Sequence, residues 1–218
     1  MQMPLFIRSM TLCSLLMLIS SPLFANELGR TIAQQGNNKG ATACISCHGA
    51  AGQGMAAAGF PLLAGIDAGY LEKQLVDFTT DKRANAIMTS IARSLTAKEK
   101  KAVAEYFAKQ SSPKSSPATQ ADAARLKLGK AIAEQGNWPN NVPACFACHG
   151  VDAAGIGKHF PLLAGQHALY IEQQLGAWRN GTRSNDPNEL MKGVAMRLSD
   201  AEIKAVSTYL SSLSAINN

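Results

Sequence analysis

The chain has 218 residues, of which 46% are hydrophobic, 17% charged and only 6% aromatic, with a formal net charge of +6. This composition is globular and excludes a disordered or collagen-like chain; the length suits one large domain or two small ones. Basic residues are dispersed, with no run longer than Lys98 to Lys101 and no stripe of interleaved aromatics, which argues against nucleic-acid binding.

Residues 1–25 read as an export signal. Arg8 is the only charge before the apolar run MTLCSLLMLI at 10–19, which is shorter than the roughly 20 residues of a membrane span. Pro22 follows, and Ala25 offers a small residue for cleavage. The rival reading is an uncleaved anchor. Cys13 falls inside the apolar run, so Cys44, Cys47, Cys145 and Cys148 remain in the mature chain. No later apolar run is long enough to span, so a soluble protein of the periplasm is expected.

Helices are expected at 27–35, stopped by Gly36; at 68–79, with Tyr70, Leu71, Leu75 and Phe78 on one face; and at 96–110, where Thr96 and Glu99 form a capping box. The intervening stretches 37–69 and 80–95, rich in Gly and Ala, read as long irregular loops. Such loops in a small domain need something to order them, and a buried prosthetic group would do so. A Ser- and Pro-rich linker, SSPKSSPATQ at 111–120, closes the first half.

The second half then repeats the first. LGRTIAQQGN at 28–37 returns as LGKAIAEQGN at 128–137, the six residues from Phe60 return unchanged from Phe160, and the segment from Tyr70 returns from Tyr170. Ser199 and Glu202 repeat the capping box, followed by Ile203, Val206, Leu210 and Leu213 at helical spacing. The expectation is an all-α protein of two tandem domains, 26–110 and 121–218, each a small helical bundle around one cofactor. Domains with so few aromatic rings have thin cores by themselves.

The cofactor is named by Cys44-Ile-Ser-Cys47-His48 and Cys145-Phe-Ala-Cys148-His149. Cys-x-x-Cys-His is the attachment signature of c-type haem. The spacing lets two thiols reach two vinyl groups on one porphyrin edge, and the adjacent His then binds the iron. A thioredoxin-like pair lacks its βαβ pattern here, and a zinc site lacks a fourth ligand at short spacing. Two copies at equivalent places in a repeat predict two covalent haems.

Met or His as second axial ligand saturates the iron and favours electron transfer, whereas an open position favours gas or peroxide chemistry. Met88 and Met191 stand at the same remove from Leu95 and Leu198, the leucines that precede the capping boxes. The repeat thus selects them as the distal ligands. Met55 and Met196 have no such equivalence and read as packing; His159 and His167 lack repeat partners and read as surface histidines. A carbonyl at Pro61 or Pro161 either accepts the ring proton of the proximal His or merely belongs to a turn. Arg83 and Arg183 either pair with haem propionates or are solvated, and Tyr70 and Tyr170 either assist them or pack in the core.

On these motifs, with the Arg-x-Asn segments at Arg83 and Arg183, the chain resembles the cytochrome c4 family of periplasmic di-haem cytochromes c across essentially its whole mature length. The resemblance implies two cytochrome c folds packed with haem edges facing. It also implies electron shuttling from a quinol-cytochrome c reductase-type donor to a haem-copper oxidase, with peripheral membrane association. Related chains are electron-accepting subunits of flavoenzymes such as sulfide dehydrogenases, which is the alternative function. A di-haem peroxidase needs an open iron, which two Met ligands deny. No paired acids and no nucleophile–base pair mark a substrate pocket, so no catalytic residue is assigned and the chain is read as an electron-transfer protein rather than an enzyme.

Overall fold

The computed structural model describes residues 22–111 and 122–214. Most of the expected export signal and nearly all of the expected linker lie outside the described residues. Among the described residues ten α-helices form: α1 Pro22–Gln35, α2 Ile45–His48, α3 Ala68–Asp77, α4 Ala86–Arg93 and α5 Ala97–Ala108, then α6 Ala123–Gln135, α7 Cys145–His149, α8 Ala168–Arg179, α9 Leu190–Arg197 and α10 Asp200–Ser212. The second five repeat the first five in order. Among the described residues no strand forms, only isolated bridges, and no helix is long and apolar enough to cross a membrane.

The outer helices of each half cross in contact, α1 on α5 and α6 on α10. The crossings are built on glycine. A Cβ on Gly29 would lie 2.2 Å from the carbonyl oxygen of Ala102, and one on Gly129 would lie 2.1 Å from that of Ala205, so only a residue without a side chain lets the backbones approach so closely. Ile32 of α1 and Ile132 of α6 are buried, in the same core as Val103 and Phe107 of α5 and Val206 and Leu210 of α10. Both capping boxes form as expected: Thr96 Oγ1 accepts from Glu99 N at 3.2 Å while Thr96 N donates to the Glu99 carboxylate at 2.7 Å, and Ser199 and Glu202 repeat both distances.

The stretch expected to be irregular at 80–95 contains α4, and its equivalent contains α9. The local cause is Asn85, whose side chain accepts from Ile87 N at 3.1 Å and Met88 N at 2.9 Å and so caps α4. Stretch 37–69 likewise carries α2 and a 3-10 turn at Ala56–Ala58. Helix α1 begins at Pro22, ahead of the expected start at 27.

The halves meet where α8 touches the 3-10 turn at Ala56–Ala58 and where the segments after α3 and α8 pair with each other. Arg83 and Arg183 pair in an antiparallel bridge, with Ala84 N donating to Thr182 O at 2.8 Å and Ser184 N to Lys82 O at 2.7 Å. Both arginines are buried, so the solvated reading fails for each. Arg83 donates to Gln74 of its own half at 2.9 Å and across the seam to Tyr170 Oη and Gln174 Oε1 at 2.8 and 2.7 Å. Arg183 mirrors this, donating to Gln174 at 2.9 Å and across the seam to Tyr70 Oη and Gln74, both at 3.1 Å. Each guanidinium also lies over a ring, Phe78 at 4.5 Å and Trp178 at 3.9 Å.

Candidate haem sites

One turn of helix assembles each attachment motif. His48 N bonds to Cys44 O at 2.9 Å and Cys47 N bonds to Cys44 O at 3.2 Å. Residues three and four apart share a helix face, so both thiols and the imidazole address the same side. The chain then leaves through Gly49 and Gly150, at φ of 78° and 81°, which a side chain would strain.

Both imidazoles are buried and fixed by the backbone. His48 Nδ1 lies 3.0 Å from Pro61 O and His149 Nδ1 lies 2.9 Å from Pro161 O. A carbonyl only accepts, so each Nδ1 carries the proton and each Nε2 keeps its lone pair. The geometry therefore decides for the carbonyl over the plain turn. Burial first, against the opposing pull of the carbonyl, lowers the pKa of both rings, which keeps them neutral as metal ligation requires. Phe60 and Phe160 flank the rings at centroid distances of 6.3 and 6.1 Å. Burial pushes the free thiols of Cys44 and Cys145 up to about 11, far from the lowered values of nucleophilic cysteines.

A cavity of about 740 Å³ opens over the first motif, within the range of roughly 300–1,000 Å³ typical of cofactor pockets. Cys44, Cys47 and His48 line it, and so does half-buried Met88 on α4, among Leu71, Ile91 and other apolar side chains. Two thiols, a bare imidazole nitrogen, a thioether sulfur and apolar walls fit a covalently held haem. The cavity reaches the seam, where Arg83 and Arg183 also line it. In the second half, half-buried Met191 on α9 packs with Cys145 and Phe146 against the core that holds Ile171, Leu175 and Trp178.

Met55 and Met196 are 46% and 60% exposed, so their reading as packing is wrong. Met196 shares α9 with Met191 but turns outward. His159 is exposed as expected. His167 is half-buried at the seam, its Nε2 donating to Gln53 O at 2.9 Å, so its surface reading is corrected. Tyr70 and Tyr170 serve the seam arginines through their hydroxyls. Burial alone would raise the Tyr170 phenol, but Arg83 and Arg183 outweigh it and hold the pKa below its ordinary value.

Sequence reasoning missed Gln74, Gln174 and Gln166. The first two recur within the repeated segments from Tyr70 and Tyr170, where a polar residue on an otherwise apolar face was the available signal. Gln166, only 2% exposed, breaks the repeat, since Ile66 holds the equivalent place.

A profile of the cytochrome c family matches the chain twice, over residues 28–111 and 126–214. A thiosulfate dehydrogenase electron acceptor of Stutzerimonas stutzeri is 46% identical over 197 residues, 90% of this chain and 91% of that one. A cytochrome c4 of Thiocapsa roseopersicina is 44% identical over 184 residues, 83% and 92% of the two chains. Among solved structures, a thiosulfate dehydrogenase from Marichromatium purpuratum superposes with a TM-score of 0.80 at 38% identity, over 86% of this chain and 40% of that one, so this chain spans less than half of that neighbour's length. Reduced cytochrome c4 from Pseudomonas stutzeri superposes with a TM-score of 0.75 at 32% identity, over 87% and 98%. With two family matches, two equivalent helical domains and two equivalent Cys-x-x-Cys-His turns, the chain belongs to the cytochrome c family, as a cytochrome c4-like electron-transfer protein whose family holds haem c covalently.

Proposed function

We propose that this protein is a periplasmic carrier with two haem c groups, passing single electrons between redox partners and doing no bond chemistry of its own. Residues 1–25 are removed on export, and 26–110 and 121–218 are the two haem domains joined by 111–120. The observation that carries this reading is the duplicated geometry of the proximal histidines. His48 and His149 each present a bare Nε2 because a proline carbonyl holds the opposite nitrogen. Cys44, Cys47, Cys145 and Cys148 form the thioether links. Met88 and Met191 would complete the two ligand sets, which would leave no coordination position for a substrate. Haem c, when bound, supplies reversible one-electron chemistry. The protein's part is to fix the axial ligands, to keep water from the apolar walls, and to offer Arg83 and Arg183 at the cavity rim to the propionate carboxylates, which suit guanidinium forks.

The donor favoured by the relatives is a thiosulfate dehydrogenase, because two acceptors of that enzyme, in Stutzerimonas stutzeri and Thiomonas intermedia, are 46% and 45% identical to this chain. A haem-copper oxidase at the membrane is the acceptor. The second reading, implied by the resemblance to the cytochrome c4 family, replaces the donor with a quinol-oxidising complex. The test has two parts. Intact mass after acid–acetone extraction should show two haems per chain; one or none, from cells with a working maturation system, contradicts the reading. Purified thiosulfate dehydrogenase with thiosulfate should then reduce the protein faster than a quinol-oxidising complex does, and the reverse order supports the second donor.

A further inference from the structure

The second domain grips the proximal loop of the first, and the grip is not returned. Loop 53–62 carries Phe60 and Pro61 past the buried His48. Gln166 of the second domain holds its end from both sides: its Oε1 accepts from Leu62 N at 2.9 Å and its Nε2 donates to Leu62 O at 3.0 Å. The same Oε1 accepts from His167 N at 3.0 Å, and His167 Nε2 donates to Gln53 O at 2.9 Å, at the start of that loop. Leu62 directly follows Pro61, whose carbonyl holds His48 Nδ1 at 3.0 Å. A continuous path, Gln166 to Leu62 to Pro61 to His48, thus leads from one domain to the proximal histidine of the other.

The repeat shows that the path is one-way. Ile66 occupies the place of Gln166 and Asp67 that of His167. Ile66 is buried and has no hydrogen-bonding group. The Asp67 carboxylate caps α3 of its own domain, accepting from Tyr70 N at 2.9 Å. Pro161 nevertheless holds His149 at 2.9 Å, so the two proximal bonds match while only the first is braced from across the seam.

We propose that Gln166 is a positioning residue for the first haem site, holding the Pro61 carbonyl against His48 and thereby lowering the potential of that site alone. The proposal rests on His48 being an axial ligand. A carbonyl held firmly on Nδ1–H makes the imidazole a stronger electron donor to the metal. A stronger donor stabilises the ferric state and lowers the potential. Domain docking, through Gln166, then sets part of the difference between the two haems.

The test is Gln166→Ile, which installs the residue found at the equivalent place in the first domain. A redox titration of the holoprotein, with each haem assigned by NMR through its methionine methyl resonance, should show the Met88-ligated haem shifted upward and the Met191-ligated haem unmoved. The Nδ1–H resonance of His48 should shift and exchange faster with solvent while that of His149 stays. Equal shifts at both haems, a downward shift, or no shift overturns the proposal. If solution scattering shows that Gln166→Ile separates the domains, His167→Ala, which leaves Gln166 in place and frees only Gln53, is judged by the same rule with a smaller expected rise. Unmodified holoprotein without His/Met spectra at the first haem would instead overturn the ligation reading on which the proposal stands.

Discussion

Arg83 and Arg183 face each other in antiparallel register at the domain seam, and each guanidinium reaches across to a tyrosine of the opposite half. Two buried like charges so placed repel. Burial first, and then the charge of Arg83, pulls the pKa of Arg183 down. Amide and phenol oxygens and two ring faces, Phe78 and Trp178, offset that cost. The seam is thus a polar, two-fold device that only the docked pair of domains completes.

Arg183→Met should weaken docking. It removes charged hydrogen bonds to Tyr70, Gln74, Gln174 and Asn185 from a buried site, and bonds of that kind contribute about 1.5–3 kcal/mol each. A loss of at least that order in chemical denaturation, with a larger radius of gyration in scattering, is expected. Arg83→Met should act alike, since Arg83 makes the mirror-image bonds to Gln74, Tyr170 and Gln174, though not the one to an asparagine. An unchanged denaturation midpoint for either variant contradicts this account of the seam.

Met88→Ala and Met191→Ala should each remove about half of the long-wavelength Met-to-ferric-haem absorption band and lower the potential of one haem, since axial ligands help to set a span of about 0.8 V across haem proteins. Met196→Ala should leave the band intact, because Met196 is 60% exposed on the outer face of α9. Loss of the band in Met196→Ala but not in Met191→Ala would mean that the repeat has been aligned wrongly.

Much of this was legible in the sequence because local rules and the repeat agree. The Cys-x-x-Cys-His turns, both capping boxes and the prolines beyond each proximal His were readable at short range or by equivalence. Helices α4 and α9 were not, since each is only about two turns long and its apolar residues look like loop filler; the cap at Asn85 was the overlooked cue. The seam was hidden for a different reason. A repeat says which residues are equivalent but not which ones touch, and the contacts of Arg83 with Tyr170 or of Leu62 with Gln166 join residues far apart in the chain. The solvated reading of Arg183 therefore stands open in the sequence beside the propionate one, whereas the side chain is buried at the seam.

The two haems should titrate at different potentials. Asp186 accepts from Trp178 Nε1 at 2.9 Å and from Lys192 N, next to Met191, at 3.1 Å, whereas Phe78 in the first domain has no such donor. A carboxylate beside the proposed distal ligand Met191 would favour the ferric state, so Asp186→Asn should raise the potential of the second haem and leave the other in place. A single unresolved one-electron curve for the wild type contradicts the inequivalence.

Gly29→Ala and Gly129→Ala should each destabilise their domain by about 1–3 kcal/mol, the usual range for overpacking, because the added carbon would sit 2.2 or 2.1 Å from a backbone oxygen. Gly176→Ala is the contrast. It lies in α8 with no protein atom within 4 Å of the new carbon, so with a gain in helix propensity and no backbone clash its effect should be milder than that of Gly29→Ala. Thermal melts distinguish these outcomes, and equal effects at Gly29 and Gly176 would contradict the close helix crossing.

Acid should loosen both capping boxes. The backbone N–H of Thr96 and of Ser199 holds Glu99 and Glu202 below the ordinary value of 4.5. Because the folded pKa is the lower, this contribution is fully present above about 4.5 and disappears as pH falls through the folded value. Glu99→Gln keeps an acceptor but does not titrate there. The wild type should therefore lose stability relative to Glu99→Gln between pH 5 and pH 3, measured by denaturant midpoints; a constant difference contradicts the linkage.

The most direct test of the carrier account is stopped-flow oxidation of the fully reduced protein by membranes that contain a haem-copper oxidase. The account predicts rapid oxidation of both haems, slowed by salt where charge steers the encounter, and negligible peroxidase turnover by the purified protein. Measurable peroxide turnover, or a reduced protein that such membranes leave reduced, would contradict it.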